Sequence, residues 1–369
     1  MPAEEPSWWY AAEAGGKPGA QPRLLSGLLR PIAHLWGAAA VRRFANTTPF
    51  RSALPVICVG NFTAGGTGKT PLSIHISRAL LAHGERPAFL TRGYGGRHKG
   101  PRRVDLGVDS AADVGDEALL LARAAPTLVS RDRARGAATL AAFSGLSAPT
   151  VIVMDDGLQN PGLAKDLTIA VVDGRRGIGN GEVIPSGPLR APLAFQLGLV
   201  DAIVVNRPPS RSAGQPEGEN EIARVLRQRF IGPVLEASVE PDGDQAGLAG
   251  ARVVALAGIA NPGRFHDLLA AMGAEIVEKL NYRDHHPFTE AEARHVLARA
   301  ATLQADIVTT EKDWVRLPRS PGALGELRDR ARPLPIRLAF GERDALRLAS
   351  LLERALTERR KRTPSGRAS

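Results

Sequence analysis

The run Thr63-Ala64-Gly65-Gly66-Thr67-Gly68-Lys69-Thr70 differs from the phosphate-binding pattern G-x-x-x-x-G-K-[ST] only in its first residue, Thr63. Glycines let such a loop curl until its backbone N–H groups point at phosphate oxygens. The helix that follows adds the positive end of its dipole. In this setting Lys69 neutralises the β- and γ-phosphates, and the Thr70 hydroxyl is a ligand for Mg²⁺. A purely structural glycine turn would need neither the lysine nor the threonine. Further along, Asp155 and Asp156 close an apolar run, where a Walker B carboxylate belongs. One of them is expected to hold Mg²⁺, directly or through water; read alone, either also suits a helix cap or a turn. The loop and the aspartate pair together point to a bound nucleoside triphosphate. Small-molecule kinase, partition or metallochaperone ATPase, and nucleic-acid motor all remain open.

These side chains require a scaffold, and the sequence supplies one. Residues 56–59 read as a buried strand ahead of the loop. A helix follows, with Leu72, Ile76, Ala79 and Leu80 on one face and Gly84 as its stop. Further strands are expected at 87–90, 150–154, 167–172 and 202–205. Continuous Val/Ile runs alternating with helices predict a parallel sheet covered on both faces. Residues 207–220 and 241–250, rich in Pro, Ser and Gly, read as linkers or surface loops, with a short helix and strand between them. A second αβ unit opens at 253–257. A helix near 262–272 follows, then another begun by a Thr289/Glu292 capping box, with later strands at 306–309 and 336–339. The fold class predicted is α/β: a three-layer α/β/α core of the P-loop NTPase type, a smaller C-terminal α/β domain and an N-terminal amphipathic helix. The boundaries expected are 1–50 for the N-terminal segment, 51–210 for the core, 211–250 for a linker region, 251–355 for the smaller domain and 356–369 for a basic, frayed tail.

Composition bounds the function. The chain has 369 residues, 43% hydrophobic and 23% charged, which excludes a mainly disordered or fibrous protein. Its net charge of +10 favours polyanionic partners, whether nucleic acid, anionic lipid or phosphorylated substrate. Only 5% of residues are aromatic, and no nucleic-acid-binding motif is evident, so nucleic acid is not an expected partner. The solitary cysteine, Cys58, lies in an apolar run and reads as a core residue of a protein in a reducing compartment. No signal peptide or spanning segment is evident. In residues 24–41, Leu25, Leu28, Leu29, Ile32, Leu35, Trp36 and Ala39 recur at helical spacing, with Arg23, Arg30, His34, Arg42 and Arg43 mostly between them. Trp8, Trp9 and Tyr10 stand upstream as candidate interfacial aromatics. Such a stripe suits a helix lying on an anionic membrane, or equally one packed on its own domain. Pro31 is expected to kink the helix or start a second one.

An ordered series of short stretches resembles one family, the tetraacyldisaccharide 4′-kinases of lipid A synthesis. It begins with Pro6-Ser7-Trp8-Trp9-Tyr10, Val59-Gly60-Asn61-Phe62-Thr63, Thr91-Arg92-Gly93-Tyr94-Gly95-Gly96 and Val114-Gly115-Asp116-Glu117. It continues with Asp155-Asp156-Gly157-Leu158-Gln159, Gly179-Asn180-Gly181 and Pro185-Ser186-Gly187-Pro188-Leu189-Arg190. Ala257-Gly258-Ile259-Ala260-Asn261-Pro262, Asp284-His285-His286 and Thr310-Glu311-Lys312-Asp313 complete it. The resemblance implies phosphoryl transfer from ATP, with Mg²⁺, to the 4′-hydroxyl of a tetraacylated glucosamine disaccharide 1-phosphate. It also implies a peripheral position on the cytoplasmic face of the bacterial inner membrane, and it favours the membrane reading of the N-terminal stripe. No obligate protein partner is implied.

A sugar hydroxyl is a weak nucleophile, so a positioned carboxylate should accept its proton. By resemblance that base is Asp116, oriented by His285. By itself Asp116 reads as a helix cap and His285 as a structural histidine. Arg190 suits a phosphate, the aspartate pair or a solvated loop. Arg92 heads a basic run with Arg97, Lys99, Arg102 and Arg103 that suits the substrate's phosphate, lipid head groups or plain solvent. Asn160 replaces a usual histidine and Ala191 a usual glutamate, and residues 11–23 look like an insertion. The main rival reading, a partition or metallochaperone ATPase, lacks a Cys/His metal cluster in the sequence.

Overall fold

The computed structural model describes residues 6–10, 20–207, 220–243 and 247–362. Among these, nine strands form one sheet. They are β1 (Val56–Asn61), β2 (Pro87–Thr91), β3 (Arg102–Arg103), β4 (Thr127–Val129), β5 (Val151–Asp155), β6 (Leu167–Asp173), β7 (Ala202–Arg207), β8 (Val234–Pro241) and β13 (Ile336–Phe340), in the order β13-β8-β7-β6-β1-β5-β2-β4-β3. All pairs are parallel except the two at the edges, β13 on β8 and β3 on β4. Every residue of β1, β2, β5 and β6 is buried, which is why these strands read as unbroken apolar runs rather than alternating ones.

Helices cover both faces. On one, α2 (Lys69–Ala82), α4 (Asp116–Ala122) and α12 (Glu342–Arg362) bury Leu72, Ile76, Leu80, Leu121, Leu352 and Leu356 against Ile57, Val153 and Ile169. On the other, α5 (Arg133–Ala141), α6 (Leu193–Leu197) and α7 (Glu221–Arg229) pack on Cys58, Met154, Ile203 and Val205. Cys58 is fully buried there, and burial pushes its thiol up to about 11.

A second, parallel sheet has the order β10-β9-β11-β12, from β9 (Arg252–Ala257), β10 (Glu275–Asn281), β11 (Asp306–Thr310) and β12 (Ala331–Leu334). It is sandwiched between α8 (Pro262–Ala271) and the pair α9 (Glu290–Leu303) and α11 (Ala323–Arg330). The expected Thr289/Glu292 capping box starts α9. The short α3 (Ala111–Val114) precedes α4, and α10 (Glu311–Trp314) follows β11. Val114, Ala118, Leu119 and Val129 of the core meet Val315 and Trp314 of this lobe in one apolar cluster, so the two sheets share a packed junction.

Several expectations are corrected. The linker placed at 211–250 contains α7, capped by Asn220, and β8, a strand internal to the large sheet; residues 208–219 lie outside those described. The smaller unit does not run to 355. After β12 the chain returns to the core, where β13 pairs antiparallel with β8 and α12 covers the sheet face. An antiparallel edge strand has the same short apolar sequence as a parallel one, so the pattern at 336–339 could not assign it to a sheet. The tail is helical through Arg362, and Arg359 is buried, donating to Ser52 O, with its ring of aliphatic neighbours on α12 facing the core.

At the other end, α1 (Ala20–Ala45) runs through Pro31 as one helix. Its contact face is made largely of small residues, with Phe44 packed edge-on against Phe195 near its end. Ser26 exchanges hydrogen bonds with Ser186, Ala33 is buried, and a Cβ at Gly37 would stand 3.2 Å from Pro192. The large apolar residues point the other way: Leu28 is 75% exposed, Leu35 73% and Trp36 57%. Trp9, expected at an interface, is instead buried. Its indole N–H donates to Pro185 O at 3.2 Å, and its carbonyl accepts from Asn180 N at 2.8 Å. No helix among the described residues is long and apolar enough to cross a membrane.

Candidate active site

The phosphate loop leaves the end of β1, where only small side chains fit. A Cβ at Gly60 would collide with Leu158 Cβ, so the aspartate-pair loop can lie directly on the strand. The loop is braced from three sides. Asn61 Nδ2 donates to Gly65 O at 3.3 Å, Asn206 Nδ2 to Thr67 O at 3.2 Å, and Arg190 Nε to Thr63 O at 3.1 Å. Ala64 N donates to Pro188 O at 2.8 Å. Thr63, in place of the usual glycine, pairs in an antiparallel bridge with Leu189, a role its side chain does not obstruct. Gly68 has φ +98°, the left-handed region, and a Cβ there would come within 2.5 Å of Asn206 Nδ2, so this glycine is required twice over. α2 begins at the next residue, its first-turn N–H groups facing the loop.

Asp155 ends β5, one residue later than the expected strand end. Its Oδ1 accepts from Ser73 Oγ at 2.7 Å, while its buried Oδ2 has no partner. Burial, with Glu117 nearby, pushes this carboxyl up to about 7. Asp156, at φ 50°, turns to the cations. Its Oδ1 is 2.8 Å from Arg190 Nη1 and 3.8 Å from Lys69 Nζ. Burial opposes ionisation here too, but Lys69 and Arg190 outweigh it and hold the carboxyl well below the usual range. Of the three readings of Arg190, the contact made here is to the aspartate pair, with Gln159 Oε1 as a further acceptor at 3.3 Å. Asn160 makes a local turn, its Oδ1 accepting from Gly162 N at 2.9 Å; Ala191 is buried, its carbonyl taken by Gln196 Nε2 at 2.7 Å.

Asp116 and His285, 169 positions apart, meet across the junction with Nδ1 2.9 Å from Oδ2. Asp116 is the first residue of α4. His285 sits at φ 59° on the loop after β10. The same Oδ2 accepts from Arg316 Nε at 2.6 Å, and Oδ1 accepts from Glu117 N at 2.8 Å. Asp116 is only 4% exposed. Burial alone would raise its pKa, but His285, Lys312 and Arg316 together hold it well below the usual carboxylate range. Arg316 is fixed in turn by Gly258 O at 2.6 Å and Asp313 Oδ1 at 2.7 Å.

Between the lobes lies a cavity of about 250 Å³. Residues 66–70 of the phosphate loop, Glu117 and Asn206 form its core wall; Asp284 and Lys312 face them from the other lobe. Its remaining wall combines apolar residues, Ile74, Val239, Ile259, Phe265, Leu268 and Leu334 among them, with polar ones such as Arg207, Asn261, Arg264 and Glu311. A second, more open cavity of about 760 Å³ has Asp116, His285 and Tyr94 at its edge. The dyad therefore stands where the two cavities approach each other. Arg92 is exposed after β2 and lines neither cavity. Arg316, Asn206 and Ser73 were missed in the sequence, while Lys312 and Glu117 stood in the quoted stretches without a role. The i, i+4 spacing of Lys312 and Arg316 beyond Thr310, which caps α10, was the one local signal for that pair.

A family model described as tetraacyldisaccharide-1-P 4′-kinase matches residues 25–356. A tetraacyldisaccharide 4′-kinase of Rhodospirillum centenum is 47% identical over 342 residues, covering 92% of this chain and 94% of its own length. One from Parvibaculum lavamentivorans is 44% identical over 340 residues, with the same two shares. Among solved structures, a form of LpxK from Aquifex aeolicus in complex with ATP superposes with TM-score 0.68 at 23% identity, over 90% of this chain and 99% of that one. That likeness carries the fold.

Proposed function

Since the chain belongs to the tetraacyldisaccharide 4′-kinase family, we propose the following working of its site. The protein is a kinase that transfers phosphate to a hydroxyl, the 4′-hydroxyl of a tetraacyldisaccharide 1-phosphate, giving the bisphosphorylated lipid A precursor. ATP is the donor. The backbone N–H groups of the phosphate loop and Lys69 hold its β- and γ-phosphates, and the remaining wall of the inter-lobe cavity takes the remainder of the nucleotide.

Magnesium fits the residues present. The Thr70 hydroxyl and the unpartnered, buried Oδ2 of Asp155 are hard oxygen donors beside the loop. Among the described residues no three His, Cys, Asp or Glu side chains cluster to form a metal cage. That suits an ion held mostly by phosphates and water, with one or two protein ligands. When bound, the ion supplies charge neutralisation along the phosphates. Asp156 keeps Lys69 and Arg190 aligned.

The observation that carries the reading is the meeting of Asp116 with His285 beside the phosphate loop: Glu117, next in the chain, lines the same cavity as Lys69. Asp116 orients the acceptor hydroxyl and takes its proton as the phosphoryl group transfers, and His285 holds the carboxylate in place. The exposed stripe of α1, with Arg30, Arg42 and Arg43 on the same helix, rests on an anionic membrane surface, and ATP supply puts that surface on the cytoplasmic face. Incubating the pure protein with ATP, Mg²⁺ and the micellar disaccharide 1-phosphate tests the whole reading. Formation of the 1,4′-bisphosphorylated lipid is expected; its absence, with the fold intact, overturns the proposal. The partition or metallochaperone ATPase alternative is not favoured by the family found.

A further inference from the structure

Lys312, a cation of the inter-lobe cavity that helps hold the Asp116 carboxyl down, has as yet no part in nucleotide binding. Lys312 projects from α10, the single turn that Thr310 caps. Its Nζ lies 3.5 Å from Glu117 Oε1, 3.5 Å from Asp284 Oδ1 and 3.3 Å from His285 Nε2. All three distances are at or beyond the long end of the hydrogen-bond range, so no single partner saturates the ammonium. Burial would favour its neutral form, but Glu117, Asp116 and Asp284 prevail and keep it charged. It lines the same cavity as residues 66–70, from the opposite wall. Lys69 approaches that space from the core, already engaged at 3.8 Å with Asp156.

We propose that Lys312 is the second lobe's contact to the terminal phosphoryl group of bound ATP. This rests on the nucleotide reading of the phosphate loop. The terminal phosphoryl group of a triphosphate held by the loop and Lys69 faces the inter-lobe cavity, and Lys312 lines that cavity from the opposite wall. A charged, loosely held ammonium there gains a stronger acceptor than the carboxylates it touches now. A diphosphate ends short of it. The α10 cation therefore discriminates ATP from ADP, and it ties closure of the lobe junction to the nucleotide that can react. A lysine serving only as an ion-pair bridge between Glu117 and Asp284 would affect both nucleotides alike.

The test is calorimetric titration of the full chain with ATP and with ADP, magnesium present and acceptor lipid absent, for the wild type, Lys312→Met and Lys312→Arg. In Lys312→Met, ATP affinity is expected to fall about tenfold or more, the effect of losing one charged hydrogen bond, while ADP affinity stays within about twofold. Lys312→Arg should recover part of the ATP preference. If the Met variant has lost its cooperative melting transition, Lys312→Gln replaces it. An unchanged ATP/ADP ratio, or equal losses for both, overturns the role of Lys312. A wild type that binds neither nucleotide overturns the phosphate-loop reading itself, and this proposal with it.

Discussion

Replacing Asp116 by asparagine separates chemistry from nucleotide binding. Asn keeps the shape of the side chain but only one acceptor oxygen, so it can serve Glu117 N or Arg316 but not both, and the proton acceptor is lost. General-base removal costs about 10²–10⁴ in rate. The lower half of that range is expected here, because the carboxylate already accepts from His285 and Arg316 and is held well below its usual pKa, which makes it a weak base. Transfer to a hydroxyl also depends more on placement and charge than on early proton removal. The expected loss in kcat is therefore about 10²–10³, or roughly 3–4 kcal/mol of transition-state stabilisation. Asp116 does not line the nucleotide cavity, so ATP affinity should change by no more than a few-fold. Single-turnover phosphorylation of the lipid acceptor, paired with ATP titration, measures both. Near-normal turnover, or equal losses in binding and turnover, refutes the assignment.

The same substitution has a pH signature. The pKa of Asp116 is depressed in the folded state, so its ionisation stabilises the fold at every pH above the unfolded value near 4. That contribution is lost as pH falls through the lower folded value. Asp116→Asn should cost about 1–3 kcal/mol at pH 7, and the gap to wild type should narrow below about pH 4. Arg316 keeps Gly258 O and Asp313, which limits the cost.

Four further outcomes are expected. His285→Ala removes a hydrogen bond that lowers the Asp116 pKa, so the acid limb of the kcat/KM profile should move to higher pH; an unmoved limb separates His285 from the base. Lys69→Met should abolish measurable ATP binding while leaving the melting temperature within a few degrees, read by calorimetry and circular dichroism. Replacing Leu28, Leu35 and Trp36 with serine should sharply reduce co-sedimentation with anionic vesicles, with stability changes of about 0.5 kcal/mol or less per site because these side chains are exposed. Trp9→Ala should do the reverse, costing about 3 kcal/mol in denaturant unfolding with vesicle binding retained.

Much of the core was legible because its signals are local. The glycines of the phosphate loop, the apolar strands and the Thr289 cap each act within a few residues of their own position. The site was legible in its parts but not in its assembly. Nothing in Val114-Gly115-Asp116-Glu117 reveals that a histidine 169 positions away will meet it, and only the family resemblance paired them. Trp9 shows the opposite failure: an aromatic beside a basic, apolar helix reads as interfacial, yet its binding partner, Pro185 O, lies 176 positions further on. The return of β13 and α12 to the large sheet was hidden for the same reason, since strand partners are chosen by long-range geometry rather than by local pattern.

These long-range pairings give the site its logic. The carboxylate proposed to receive the proton and the loop proposed to hold the phosphates belong to the core; the groups that set the carboxylate, His285 and Arg316, belong to the other lobe. Neither lobe contains the proposed base and its partners alone. The apolar junction of Val114, Ala118 and Leu119 with Val315 and Trp314 involves chain neighbours of this pairing, since Asp116 lies between Val114 and Ala118 and Arg316 follows Val315. Packing of the junction and assembly of the proposed base thus use neighbouring residues of the same segments. The return of β13 and α12 to the core brackets the second lobe, so its sheet is inserted between two segments of the first rather than hung from a single linker. Two covalent crossings therefore tie the lobe to the core.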